Sequence, residues 1–107
     1  MARKLTPVHP GEVLREEFLV PMGMASNALA KALAVPRTRI ERLAKEQTPI
    51  TADTALRLAR YLGTTAAFWM NLQTRHDLEL AEDLVKPELR RIKPRRNADI
   101  HDQEMHS

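Results

Sequence analysis

The sequence predicts an all-α protein of five helices, and three observations carry that reading. Only three glycines occur, at 11, 23 and 63, and no stretch alternates as a half-buried strand would. Apolar residues recur instead at the three- and four-residue spacing of a helix face. Prolines, glycines and capping hydroxyls punctuate the chain between these periodic stretches.

The first helix is expected to begin at Pro10, a residue suited to the first helical position, with Glu12 near its positive end. It carries Val13, Leu14 and Phe18 inward and is predicted to stop before Pro21-Met22-Gly23. A second helix runs from about Ser26 to Leu33, with Leu29, Ala30 and Leu33 turned inward. Pro36 opens a third, which ends near Ala44 or Lys45. "EQTPIT" reads as a loop, because Pro49 lacks a donor and pushes Thr48 extended. Thr51 caps a fourth helix, with Asp53 in its first turn and Gly63 at its end. A fifth starts near Thr65, passes through Phe68, Trp69 and Leu72, and is predicted to reach about Leu84. Beyond Pro87 the periodicity fades into a basic tail, expected to be flexible. The resulting division is a leader over 1–9, one helical domain over 10–85 and a basic tail over 86–107.

Composition narrows the partner. With 107 residues, 43% hydrophobic and 29% charged, the chain has the make-up of one ordinary soluble domain with a modest core. It has no cysteine, which suits a reducing cytoplasm and excludes disulfides and thiolate metal sites. No apolar run approaches the roughly 20 residues that span a bilayer, and no signal-peptide core follows the basic start. The net charge is only +3, but it is unevenly spread. Residues 31–60 hold seven Lys/Arg against three Asp/Glu, and residues 86–96 hold six against one. Localised positive charge points to a polyanion.

The segment "VPRTRIERLAKE" places that charge on the third helix. Two short helices joined by a tight turn, apolar on one side only, fit a helix-turn-helix, whose second helix enters the DNA major groove. With Ile40 and Leu43 facing inward, residues 37, 38, 41 and 42 point away from the core. Arg37, Thr38 and Arg42 are then the base-reading candidates, since a guanidinium can donate twice to a guanine edge. Arg39, on the flank, suits a phosphate. Glu41 is placed to accept from a cytosine or to orient Arg42.

"HPGEVLREEFLVPMGM", "NALAKALAVPRTRIERL" and "ITADTALRLARYLGTTAAFWMNLQTRHDLE" resemble the HigA-type antitoxins of the Cro/phage-repressor (XRE) helix-turn-helix family. The likeness covers roughly residues 5–84, and "HPGE" with "FWMNLQ" is its most specific part. It implies a compact five-helix lambda-repressor-like helix-turn-helix domain with a flexible basic C-terminal tail. It also implies a homodimer on double-stranded operator DNA with an inverted repeat, repression of its own operon, and binding of a HigB-type mRNA-cleaving toxin. The family's base-contacting positions fall on Arg37, Thr38 and Arg42. Its phosphate contacts fall on Ser26 and Asn27 and on Lys45, Gln47 and Thr48, with Arg39 beside them.

Three departures from the family pattern carry expectations of their own. Ala25 stands where a Ser/Thr cap is usual, which predicts Ser26 as the cap or a weak helix start. Ala34 stands where glycine often precedes Val35. Glu46 stands where glycine usually follows the recognition helix. A glutamate at positive φ costs about 1 kcal/mol, so that turn is expected to differ in detail.

Other residues find roles by position. Phe68, Trp69 and Leu72 lie at helical spacing, a stripe that usually marks core, and Trp69, Leu72 and Leu80 are also candidates for a dimer surface beyond a small core. The acidic side chains Glu12, Glu16 and Glu17 are candidates for the toxin contact, since a protein acting on mRNA should be basic; Asp77, Glu79, Glu82 and Asp83 form a second acidic stretch. His9, His76, His101 and His106 are too scattered for a closed metal site, and no cofactor is implied. No nucleophile accompanies the carboxylate pairs Glu16-Glu17 and Glu82-Asp83, so the chain does not read as an enzyme. The alternative within the same fold is a stand-alone repressor without a toxin.

Overall fold

The computed structural model describes residues 7–95. Those residues form five helices and the turns between them, with no strand among them. The first helix, α1, covers residues 10–22 in three consecutive parts: an α-helical turn Pro10–Val13, a π-helical stretch Leu14–Leu19 and a last turn Val20–Met22. Then come α2 (Ser26–Leu33), α3 (Arg37–Ala44), α4 (Ala52–Leu62) and α5 (Ala66–Leu89).

The start of α1 explains "HPGE" residue by residue. His9 is the cap, its Nδ1 accepting from the Gly11 amide at 2.8 Å. Pro10 takes the first helical position, where its missing N–H costs nothing. A Cβ on Gly11 would overlap the backbone carbonyl of Leu43, at the end of α3. Only glycine lets α1 and α3 come this close.

Two expected helix ends were too early. α1 does not stop before Pro21 but continues through Met22 to Gly23. Its π stretch shifts the bonding ladder, with Val20 N–H reaching Arg15 C=O, and the adjoining Glu16 and Glu17 are exposed, so water can serve freed carbonyls. α5 likewise passes through Pro87 and ends at Leu89 rather than near Leu84, beyond the expected boundary at residue 86. Every described residue from Leu80 onward is exposed, so a carbonyl left without a donor there meets solvent. Residues 90–95 of the anticipated tail follow α5 as an exposed turn and coil, and residues 96–107, with most of the leader, lie outside the described residues.

Three helices close in the same way. Met24 N–H bonds Leu19 C=O, Val35 bonds Ala30 and Gln47 bonds Arg42, each across a residue in the left-handed region. Those residues are Gly23, Ala34 and Glu46, at φ 61°, 60° and 64°. The turn at Glu46 is therefore not altered to spare the glutamate. It keeps the left-handed geometry, at a cost of roughly 1 kcal/mol for each of Ala34 and Glu46.

The core gathers Leu14 and Leu19 of α1, Leu29 and Leu33 of α2, Ile40 and Leu43 of α3, and Ala55 and Leu58 of α4 around Trp69. Trp69 is fully buried, packs against Phe18 and Phe68, and donates its Nε1–H to Thr64 Oγ1 at 2.7 Å. It is therefore not a dimer-surface residue: its hydrogen bond and its whole surface are used inside one chain. Leu72 is half-buried against the same core, and Leu80 is exposed. α5 is about 36 Å long at 1.5 Å per residue, and its second half projects beyond the core it covers.

Gly11→Ala should destabilise the fold by roughly 1–3 kcal/mol, because the methyl group meets backbone and not a side chain that can move. The urea midpoint measures it, and an unchanged midpoint would mean the two helices are not held this close.

His9 gives the fold a pH dependence. Burial, then the neighbouring His76, whose ring lies 4.9 Å away edge-on, hold its pKa below the ordinary 6.5; Glu46, the Thr48 backbone and Asp77 pull weakly the other way. The folded state thus binds fewer protons than the unfolded chain, so stability is full above about pH 6.5 and is lost on acidification towards the folded pKa. Thermal midpoints should fall between about pH 7 and pH 5, and less in His9→Asn, which keeps a capping acceptor without a titrating ring. Equal slopes in the two proteins would contradict this.

Candidate nucleic-acid interface

The exposed basic surface is built on α3. Its inner side is fixed by Ile40, Leu43 and Ala44, all buried, so its outer side has one possible direction. Arg37, Thr38, Arg39 and Arg42 all lie on exposed positions. The helix wheel expected this arrangement, and α3 has the length to lay about two turns along a groove.

The side chains are less independent than the sequence suggests. Arg37 Nε pairs with Glu41 at 3.3 Å, one turn along the helix. Glu41 therefore orients Arg37, not Arg42 as the sequence reading allowed. Arg39 Nη1 donates to Asp53 Oδ2 at 2.5 Å, and Arg57 Nε donates to the same oxygen at 3.0 Å. Arg57 also gives Nη1 to the Leu33 carbonyl at 2.8 Å, serving the exposed end of α2. The two guanidiniums hold the Asp53 carboxyl below the usual carboxylate range, Arg57 first and then Arg39.

The phosphate candidates fall on both sides of this helix. Ser26 and Asn27 are the first two residues of α2, behind Ala25, whose side chain cannot cap. Ser26 does not take over as the cap; it is inside the helix, and its hydroxyl and the first amides of α2 are left for another acceptor. Lys45 and Gln47 are exposed in the turn after α3, and Thr48 is half-buried. That turn is pinned from two sides. Arg15 of α1 donates to the Ala44 carbonyl and to Glu46 Oε2 (3.0 Å), and Gln73 of α5 accepts from the Ile50 amide at 2.7 Å, while His9 and Thr48 border one pocket beside it. Gln73 is buried and gives its Nε2 to Asp77 at 2.9 Å. "FWMNLQ" thus carries a core tryptophan and, four residues on, the amide that holds the loop.

The acidic candidates are on the first helix. Glu16 and Glu17 are exposed, Glu16 beside Arg15 at 2.9 Å, and Glu12 is half-buried. Sequence reasoning missed Arg15, Asp53, Arg57 and Gln73 as the residues that tie down α2, the flank of α3 and the turn after it. Only the Asp53–Arg57 pair, at i and i+4, left a local signal. Among the described residues, no group of His, Asp or Glu could hold a metal ion, and no helix is long and apolar enough to cross a membrane.

Comparison with known proteins agrees with this geometry. A helix-turn-helix family matches residues 14–69. The chain is 56% identical over 79 residues to virulence-associated protein I of Dichelobacter nodosus, covering 74% of this chain and 73% of that one. It is 41% identical over 91 residues to antitoxin HigA-1 of Vibrio cholerae, covering 85% and 86%. Among solved structures, the Pseudomonas aeruginosa antitoxin HigA with higBA promoter superposes with a TM-score of 0.79 at 43% identity, over 82% of this chain and 97% of that one. With its basic helix, its matched domain and relatives of this identity over most of their length, the chain belongs to the HigA-type antitoxins of the helix-turn-helix family.

Proposed function

We propose that this protein is the antitoxin of a toxin–antitoxin pair and the repressor of its own operon, acting in the cytoplasm on an inverted-repeat operator. The observation that carries the reading is α3: a helix locked by Ile40 and Leu43 that turns Arg37, Thr38 and Arg42 to solvent together. In this reading those three meet base edges. Ser26, Asn27, Lys45, Gln47, Thr48 and Arg39 meet phosphates, and the pinned turn after α3 keeps the register.

One such helix spans only a few base pairs, so useful selectivity calls for two, related by a dyad. The projecting half of α5 supports a homodimer, because it leaves Leu78, Leu80, Leu84, Val85 and Leu89 exposed on a helix over whose end none of the described residues packs. A HigB-type toxin would be met away from the DNA face, and Glu12, Glu16 and Glu17 are the proposed contact.

The test is binding to duplex from upstream of the protein's own gene. Arg37→Ala or Arg42→Ala should each cost roughly 1–3 kcal/mol on the operator and relax preference at one base pair, with footprints covering two half-sites about one helical turn apart. Unchanged discrimination in both variants, or protection of a single half-site, would overturn the assignment.

A further inference from the structure

We propose that Asp53 is a built-in competitor for DNA phosphate, which limits how tightly the recognition face holds nucleic-acid backbone of any sequence. The inference rests on the proposed DNA-binding role and adds to it an exposed acidic residue that the proposed contacts leave out. Asp53 lies in the first turn of α4, beside the loop that carries Thr48, and it shares one shallow groove with Thr38, Arg39, Arg42 and Arg57. It is a carboxylate on the face that should meet a polyanion, which is the wrong sign for attraction.

Its partners explain what it does there. One Asp53 oxygen takes a donor from each of two guanidiniums, 2.5 Å from Arg39 Nη1 and 3.0 Å from Arg57 Nε. A phosphate oxygen would use those same donors, with the same charge and the same hydrogen-bond lengths. Arg57 is fixed a second time, at the end of α2, by the Leu33 carbonyl. Arg39 and Arg57 are almost equally exposed, 42% and 40% of their side chains, so it is the second tie on Arg57 that leaves Arg39 as the arginine able to change partner for a backbone phosphate. To take it, the phosphate must displace an ionised carboxylate that is already in place.

The consequence is electrostatic. Backbone binding grows with each phosphate that a cation neutralises, and each such contact adds about 0.9 to the slope of log affinity against log salt. Because Asp53 competes for Arg39, the phosphate contact of Arg39 is made only part of the time, which takes up to one contact from that sum, and the carboxylate cancels one of the two guanidinium charges at the face. Arg37 and Arg42 lie outside the Asp53 bridge, so sequence reading is spared while indiscriminate holding is restrained.

The experiment measures the salt dependence of binding for the full chain on its operator and on an unrelated duplex. Asp53→Asn keeps the shape and one acceptor oxygen but removes the charge. Its affinity for both duplexes should rise, with a slope steeper by up to about one, so that its advantage shrinks by up to about three- to fourfold between roughly 50 and 200 mM salt. In an Arg39→Ala background the same substitution should leave the slope unchanged, which separates competition for Arg39 from a diffuse loss of negative charge. Thermal midpoints confirm that each variant is folded. Weaker binding by Asp53→Asn, an unchanged slope, or a steepening that persists without Arg39 overturns the inference. A folded wild-type chain that binds neither duplex contradicts the proposed function, and the inference with it.

Discussion

The contact between Gly11 and the Leu43 carbonyl is the constraint on which the rest of the architecture depends. Side chains normally keep helices 8–10 Å apart; here the backbone of α1 meets the backbone end of α3 with nothing between. That approach brings Arg15 within reach of the Ala44 carbonyl and Glu46, and His9 within reach of Thr48. The last turn of the recognition helix and the loop after it are thereby held by α1 before any ligand arrives. A helix of eight residues has little stability of its own, so this tertiary grip decides its orientation.

Strain is accepted in order to keep that grip. Ala34 and Glu46 both hold a left-handed backbone that glycine would adopt freely, and together they cost about 2 kcal/mol against a stability that is only about 5–15 kcal/mol for a domain. Local partners offset part of it. Arg57 donates to the carbonyls at the end of α2, and Arg15 pairs with the strained Glu46 itself. Since Arg15 and Glu46 are both more than a third exposed, their pair contributes little as an ion pair and more as a positional tie. The interface is pre-shaped by neutral and charged ties alike, which lowers the ordering cost that binding would otherwise meet.

How far this was legible in the sequence depends on the range of the interaction. The helices, the cap at Thr51, the start near Thr65 and the outward turn of Arg37, Thr38 and Arg42 follow from local spacing. Helix ends at Pro21 and Pro87 were misplaced because solvent and a π turn can satisfy what proline leaves open, and the sequence alone does not say where solvent will be. Trp69 reads as core by its helical spacing with Phe68 and Leu72, and the alternative of a dimer surface closes once the ring is seen fully buried with Thr64 taking its indole N–H. The ties Arg39–Asp53, Arg15–Glu46 and Gln73–Ile50 join residues 14 to 31 positions apart, and no periodicity announces them. The familiar motifs were recognisable before their reasons were: "HPGE" is a cap, a proline start and a close approach, and "FWMNLQ" is a core ring followed by a loop anchor.

The pre-held recognition helix is tested most directly by titrating operator duplex into isotope-labelled protein and following each backbone amide. The expected result is that the largest shifts fall on residues 26–28, 36–42 and 45–51, while the helical signature of α3 is already present without DNA. Shifts confined to the projecting end of α5, or an α3 that becomes helical only when DNA is added, would contradict a recognition surface set in advance by α1.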